Sequence, residues 1–331
     1  MVSYQYLSDL LNMKGWKFMK NNINCNQKNI FNQPVPSKTH SVLHALKLRK
    51  MLSTKDDRRL KLFETGFNGE MQFHALLQEK LTVPHIPIYN LQLESNMSEF
   101  QLDCLLIFRN LIHLVEVKNF YGDYIAGDDH WIHAKTKDPV KNPLHQVSRS
   151  GMYLNFWLKM NRISLPVIYH VIFMNPSFFL YEATLSMQII LPSQHHSYLK
   201  RLQKNYQSLS NQHEQLASKL KASHITQSRH EYIPEYSYSE LQKGIFCNSC
   251  LIALPKPRHN YFQCKRCGNR EQIAEALFRT IKEFQLMFPE FPLTVNSIIE
   301  WTGGVLSKNT IRRCLIKNFE QQGNGRGTYY L

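Results

Sequence analysis

Two Cys-x-x-Cys knuckles, Cys247-Asn248-Ser249-Cys250 and Cys264-Lys265-Arg266-Cys267, lie thirteen residues apart, and no other feature of the 331-residue chain constrains its folding as tightly. Four thiolates on two such turns match the tetrahedral sphere of Zn²⁺ and fill it, so the expected ion is structural and leaves no position for a substrate. A segment this short cannot bury enough apolar surface alone; binding of the ion supplies the missing stability. The spacing predicts a zinc ribbon over residues 243–270, with Cys247, Cys250, Cys264 and Cys267 as ligands. Cys25, Cys104 and Cys314 are left without a spacing partner, which suits a reducing compartment.

The ribbon sits in a basic chain. Lys and Arg number 40 against 25 Asp and Glu, a formal charge of +15. The excess is concentrated at both ends: residues 1–63 carry +9, residues 64–242 carry −1, and residues 243–331 carry +7. Cationic flanks displace counterions from a polyanion, so DNA is the expected partner; RNA uses the same surfaces, and an anionic membrane or plain solubility are the competing readings. A hydrophobic content of 43% excludes a largely disordered chain. The longest apolar run, Leu165 to Met174, is short of the ~18 residues that span a bilayer. Asp9, Lys14, Lys17 and Lys20 interrupt the start of the chain, against a signal peptide. The expected location is the cytoplasm, with no membrane partner.

Residues 20–42 are rich in Asn, Gln and Lys and read as an arm; residues 43–63 read as a basic helix, so 1–63 form a basic N-terminal segment. After Gly66 and Gly69 a helix is expected, with Phe73, Leu76, Leu77 and Leu81 on one side. Ile86–Leu93, Phe100–Phe108 and Ile112–Phe120 read as strands, the last two joined through Arg109-Asn110 into a hairpin. Their apolar residues occupy both faces, as a central strand covered on both sides requires. A helix over Pro143–Met160 and a strand over Pro166–Met174 follow, giving a mixed sheet flanked by helices across residues 64–195. Residues 196–242 divide into an amphipathic segment and a linker; a heptad on Leu199, Leu202, Tyr206, Leu209, His213, Leu216 and Leu220 fits a helix packed on its own domain or a homodimer seam.

Within the sheet, Leu114-Val115-Glu116-Val117-Lys118 alternates two opposite charges with apolar residues on what should be a buried strand. Glu116 and Lys118 share a face. Taken singly, Glu-x-Lys is more often a surface ion pair, but buried charges must be paired or put to use. The hairpin can bring Asp103 to Glu116, and two carboxylates hold Mg²⁺ or Mn²⁺ through oxygen. Glu70 lies on the Phe73/Leu77 stripe of its helix. Gln146, Arg149 and Tyr153 share a face of theirs, from which an amide and a guanidinium could meet phosphates, or simply hold helix to sheet.

Gly66-Phe67-Asn68-Gly69-Glu70, Gln101-Leu102-Asp103, Glu116-Val117-Lys118-Asn119 with Gly122, and Asn142-Pro143-Leu144 with Gln146 and Arg149 together resemble the nuclease-related domain family, NERD, over residues 64–195. That family is related to the PD-(D/E)xK superfamily. The resemblance implies a restriction-endonuclease-like α/β core and metal-dependent cleavage of DNA. It implies Asp103 and Glu116 as Mg²⁺ ligands, Lys118 as the water-orienting group, Glu70 as a further acidic member and Gln146 as the helix-borne polar residue. Leu102 stands where the superfamily motif has proline, a position that supplies no ligand.

Residues 271–331 read as a small helical, winged-helix-like domain. A helix marked by Ile273, Leu277, Ile281 and Phe284 precedes Val295–Trp301, a Thr302-Gly303-Gly304 break and a second helix capped by Ser307. That helix carries Lys308, Arg312, Arg313 and Lys317, with Asn309 to Arg313 as the expected major-groove reader and Arg326 at the tip of a wing. On the ribbon, Lys256, Arg258, Lys265, Arg266 and Arg270, interleaved with His259, Tyr261 and Phe262, offer cations and stacking surfaces to nucleic acid; protein docking is the alternative for both segments. The whole reads as a metal-dependent deoxyribonuclease, or else as a non-catalytic DNA-binding protein that uses the same core as a platform.

Overall fold

The computed structural model describes residues 31–95, 98–205 and 207–331; residues 1–30 of the expected N-terminal arm lie outside the described residues. Packing divides the chain into two units. One contains residues 31–36 and Lys61–Glu231, the other Ser37–Leu60 and Tyr232–Leu331. Among the described residues no helix is long and apolar enough to cross a membrane.

Helices α1 (Lys38–Arg49) and α2 (Thr54–Lys80) precede a meander of β1 (Ile86–Ser95), β2 (Ser98–Ile107) and β3 (Ile112–Lys118). β2 and β3 pair antiparallel from Cys104↔Val115 to Ile107↔Ile112, the expected hairpin. Three short strands, β4 (Gly122–Ile125), β5 (His130–His133) and β6 (Pro139–Lys141), lead to α3 (Pro143–Met160). The crossover through α3 brings β7 (Val167–Phe173) parallel to β3. β8 (Phe178–Tyr181), β9 (Ile189–Ile190), α4 (His195–Leu202) and α5 (Asn211–Ala222) complete the unit. The main sheet has the order β1-β2-β3-β7-β9, and a second sheet has the order β6-β5-β4-β8. Sequence reading missed the second sheet, whose strands are too short for a period-two pattern to register.

Alternation places the two cores. Leu105, Leu114, Val171 and Phe173 point to one face and pack with Val147, Leu154 and Trp157 of α3 and Leu216 and Leu220 of α5. Cys104, Leu106, Val115, Val117 and Ile172 point to the other, beneath Phe73 and Leu77 of α2 and Tyr198, Leu199 and Leu202 of α4. Each fully buried Leu, Ile or Val contributes about 1.5–3 kcal/mol, so the central strands are fixed in register by both layers.

Three expectations are corrected. The helix expected after Gly69 begins at Thr54 and runs through both glycines. A mid-helix glycine costs only about 1 kcal/mol, and at Gly69 a Cβ would stand 2.8 Å from the Cβ of Asn119, so close approach decides the residue. The segment expected to be an arm up to residue 42 is already α1 from Lys38, with Val42, Leu43 and Leu46 buried. The heptad does not form one helix: α4 ends at Leu202 and α5 starts at Asn211, and their leucines enter opposite cores of their own unit. Among the described residues of 199–220 the heptad positions are therefore divided between two helices.

In the second unit, β10 (Tyr261–Gln263) pairs with β11 (Arg270–Gln272), followed by α6 (Ile273–Met287), α7 (Val295–Trp301), α8 (Lys308–Asn318) and the hairpin of β12 (Gln321–Gln322) with β13 (Tyr329–Tyr330). One core joins Val42, Ala45 and Leu46 of α1 to Phe262, Leu277, Ile281, Phe284, Trp301, Ile311 and Leu315. Arg49, 2% exposed, pairs with Glu283, donates to the Gln242 carbonyl at 2.8 Å, and stacks 3.6 Å from the Trp301 ring centroid. The stretch expected to be a linker makes side-chain contacts: Arg229 pairs with Glu94 and Glu99 in the first unit, and Tyr238 stacks on Trp301 in the second.

Candidate functional site

The register that pairs Cys104 with Val115 would set Asp103 opposite Glu116, and there the ladder ends. Asp103 Oδ2 instead accepts the Val117 N–H at 3.0 Å. β1 skips the same row. Tyr89 pairs with Cys104 and Leu91 with Leu102, while Asn90 between them takes φ 49, the left-handed region that asparagine tolerates better than most residues. Freed from the ladder, the Asn90 amide donates to Glu70 Oε2 at 2.6 Å and its oxygen accepts the Val35 N–H at 2.8 Å. Sequence reasoning missed Asn90; the signal was a lone polar residue within Ile88-Tyr89-Asn90-Leu91.

Glu116 is 1% exposed and Asp103 is 9% exposed. Lys118 Nζ lies 2.6 Å from Glu116 Oε1 and donates to Gln146 Oε1 at 3.0 Å. Gln146 is delivered by the first turn of α3, which Asn142 fixes: its side chain accepts the Leu144 N–H at 2.9 Å and donates to the Asp128 carbonyl at 2.7 Å. Asn119 docks on α2 through the Thr65 carbonyl at 2.9 Å, against Gly69. Asp103, Glu116, Lys118 and Gln146 are thus brought together, and Glu70 joins them through Asn90.

Three carboxyls share one ammonium in a buried place. Burial and the neighbouring Asp103 push Glu116 up to about 8, and the same two causes push Glu70 up to about 8 against the Asn90 hydrogen bond. Burial also raises Asp103. Burial would lower the Lys118 ammonium, but Glu116 and Asp103 outweigh it and hold it above its ordinary value. A surplus of buried acidic oxygens is the donor chemistry of Mg²⁺ or Mn²⁺, so the residues fit such an ion. Arg149 is not in the cluster; it lines an exposed groove with Ser98, Glu99, Tyr153, Arg229 and His230.

The four knuckle cysteines are, among the described residues, the one group of three or more His, Cys, Asp or Glu side chains with donor atoms all within 4.8 Å of one another. Cys247 and Cys267 sulfurs are 3.6 Å apart, Cys250 and Cys264 sulfurs 3.3 Å. A tetrahedron with Zn–S of about 2.3 Å has edges of about 3.8 Å, so the quartet is compatible with a zinc ribbon. Around it Lys256, Arg258, Lys265, Arg266 and Arg270 are exposed. Phe262 is not a stacking surface as expected, being fully buried in the core, and Tyr261 lies under Arg270, 5.0 Å from its ring centroid.

Between α7 and α8 the chain reverses through Gly303 and Gly304, both left-handed at φ 67 and 66. The Ser307 side chain accepts the Thr310 N–H and caps α8. Ile311, Cys314 and Leu315 bury one side of α8; Lys308, Arg312, Arg313 and Lys317 are exposed on the other. The side chain of Arg326 lies outside the described residues.

Residues 65–174 match the model of the nuclease-related domain family. No curated protein and no solved structure matches the chain. The mixed sheet between two helical layers is the restriction-endonuclease-like architecture this family implies, and the match spans Glu70, Asp103, Glu116, Lys118 and Gln146.

Proposed function

We propose that the chain is a metal-dependent nuclease that hydrolyses phosphodiester bonds in DNA. The observation that carries this reading is the convergence of Asp103, Glu116, Lys118 and Gln146 at a break in the sheet ladder, inside a nuclease-related domain. Asp103 and Glu116 would hold Mg²⁺ or Mn²⁺, which when bound polarises the phosphate and lowers the pKa of a bound water. Glu116 and Gln146 hold the Lys118 ammonium from two sides, so its charge is already oriented when negative charge gathers on the phosphate oxygens. Glu70, steered by Asn90, adds acidic charge at the rim. The zinc ribbon and the winged-helix-like arrangement of α6, α7, α8 and the β12–β13 hairpin hold the DNA through their exposed cations.

A second reading, a non-catalytic DNA-binding platform, draws on one observation: Lys118 and the Val117 N–H already engage one oxygen each of Glu116 and Asp103. The test is incubation of the full chain with circular, linear and single-stranded DNA, with and without added Mg²⁺ or Mn²⁺, beside Lys118→Ala. The expected outcome is metal-stimulated cleavage reduced at least ~100-fold in the variant. Salt-sensitive binding without cleavage under either ion would establish the platform instead.

A further inference from the structure

We infer that α8 reads base sequence in the major groove of duplex DNA, through Asn309, Arg312, Arg313 and the exposed apolar Ile316. This deepens, and rests on, the reading that the C-terminal segments hold DNA. Asn309, Arg312/Arg313 and Ile316 recur at i, i+3/i+4 and i+7, so they line one face, and together they bound a shallow concavity. Ile316, at its C-terminal end, is 51% exposed. An isoleucine left in water one turn beyond two arginines does nothing for solubility or phosphate binding, but it suits van der Waals contact with a thymine methyl. Asn309 matches the donor and acceptor pair of adenine, and the arginine forks match guanine.

The remainder of the helix agrees. Lys308 and Lys317 stand at its two ends, where they would meet phosphates on either side of a groove. α8 contains no acidic residue. Among the described residues no hydrogen bond or ion pair engages the side chains of Lys308, Arg312 or Lys317, and Arg313 turns only to the Asn309 carbonyl, at 3.4 Å. These groups are therefore not spent on holding the fold, which the buried Ile311, Cys314 and Leu315 do from the opposite side. A helix of 11 residues is about 16 Å long and enters a groove about 12 Å wide. The A-form major groove of RNA is deep and narrow and does not admit it, so the geometry favours duplex DNA.

The experiment is selection of bound duplexes from a random-sequence library by the full chain in Mg²⁺-free buffer, repeated with Asn309→Ala, Ile316→Ala and Lys308→Ala. The expected result is an enriched consensus. Asn309→Ala and Ile316→Ala should each relax a different position in it, with Asn309→Ala weakening consensus binding about 5- to 150-fold and non-consensus binding little. Lys308→Ala should weaken all sequences alike and flatten the salt dependence by about one unit of slope. Duplex binding with no consensus, or with a consensus indifferent to Asn309 and Ile316, overturns this inference and leaves the DNA-holding reading standing. Absence of DNA binding, or preference for structured RNA or an acidic protein, overturns both.

Discussion

Cys247, Cys250, Cys264 and Cys267 come within reach of one another over 21 residues of chain, on two tight turns, whereas Glu70, Asp103, Glu116 and Gln146 are drawn from four elements spread over 77 residues. The thiol set is assembled locally, in a segment whose one strand, β10, has three residues and pairs with the equally short β11 that follows. The carboxyl set is assembled by a sheet packed on both faces, which forces like charges together and leaves their pKa values raised. The lesson concerns what an ion would do in each place. In the ribbon it would create structure; in the sheet it would relieve a repulsion that the fold already sustains.

Removing the ion from the ribbon should therefore have the largest effect. A chelator, or Cys264→Ser, is expected to abolish native near-UV circular dichroism from Trp301 and its neighbours, since structural zinc contributes roughly 10 kcal/mol or more of folding free energy. A spectrum and thermal transition unchanged by chelation would show that the ribbon folds without an ion.

Acidity should act on the carboxyl set in the opposite direction from its usual effect on carboxylates. Glu70 and Glu116 sit near 8 when folded and near 4.5 when unfolded, so the folded chain binds more protons between those values. Stability without divalent ions is then greatest below about pH 4.5 on their account and is lost as pH rises through 8, by a few kcal/mol. Histidines pull the other way: burial holds His40 and His44 at about 4, so their contribution is present above 6.5 and lost as pH falls through 4. Thermal melts from pH 5 to 9 in metal-free buffer should show the alkaline loss, and Glu116→Gln should flatten it. An unchanged slope in the variant would show that the pair is not strained.

Asn90→Gly should have the smallest effect. Glycine keeps the left-handed turn of β1 but deletes the amide that steers Glu70, together with the oxygen that accepts the Val35 N–H. Mn²⁺ affinity measured by calorimetry is expected to fall about tenfold, as for loss of a group that orients a ligand, while the lost Val35 bond lowers stability by only about 1 kcal/mol. Equal affinity in the variant would detach Glu70 from the site.

Where sequence and structure agree, the reason is locality or periodicity. The knuckles, the Ser307 cap, the Gly303-Gly304 reversal and the alternating Leu114–Lys118 strand each declare themselves within a few residues. The approach of Asp103 to Glu116 was legible from the short turn of the hairpin, and the place of Lys118 from the alternation of its strand. Asn90 was not, because its value lies in a skipped rung opposite Asp103, a fact of pairing rather than of spacing. The division of the heptad was hidden for a related reason: Leu199 and Leu216 obey one period but are buried in different layers.

The burial of Arg49 against Trp301 has a temporal consequence. All of the sheet unit, residues 31–36 and Lys61–Glu231, precedes Tyr232–Leu331 of the other unit, so it can close while the rest of the chain is still being synthesised. Helix α1 must wait. At 5–20 residues per second, about 13–50 s separate Arg49 from the tryptophan that covers it. During that interval Val42, Ala45 and Leu46 lack their final neighbours. A nascent or truncated chain that stops after residue 231 keeps every member of the carboxyl cluster while presenting this apolar helix face to chaperones and proteases, so complete synthesis is coupled to survival of the chain through a single arginine-bearing helix.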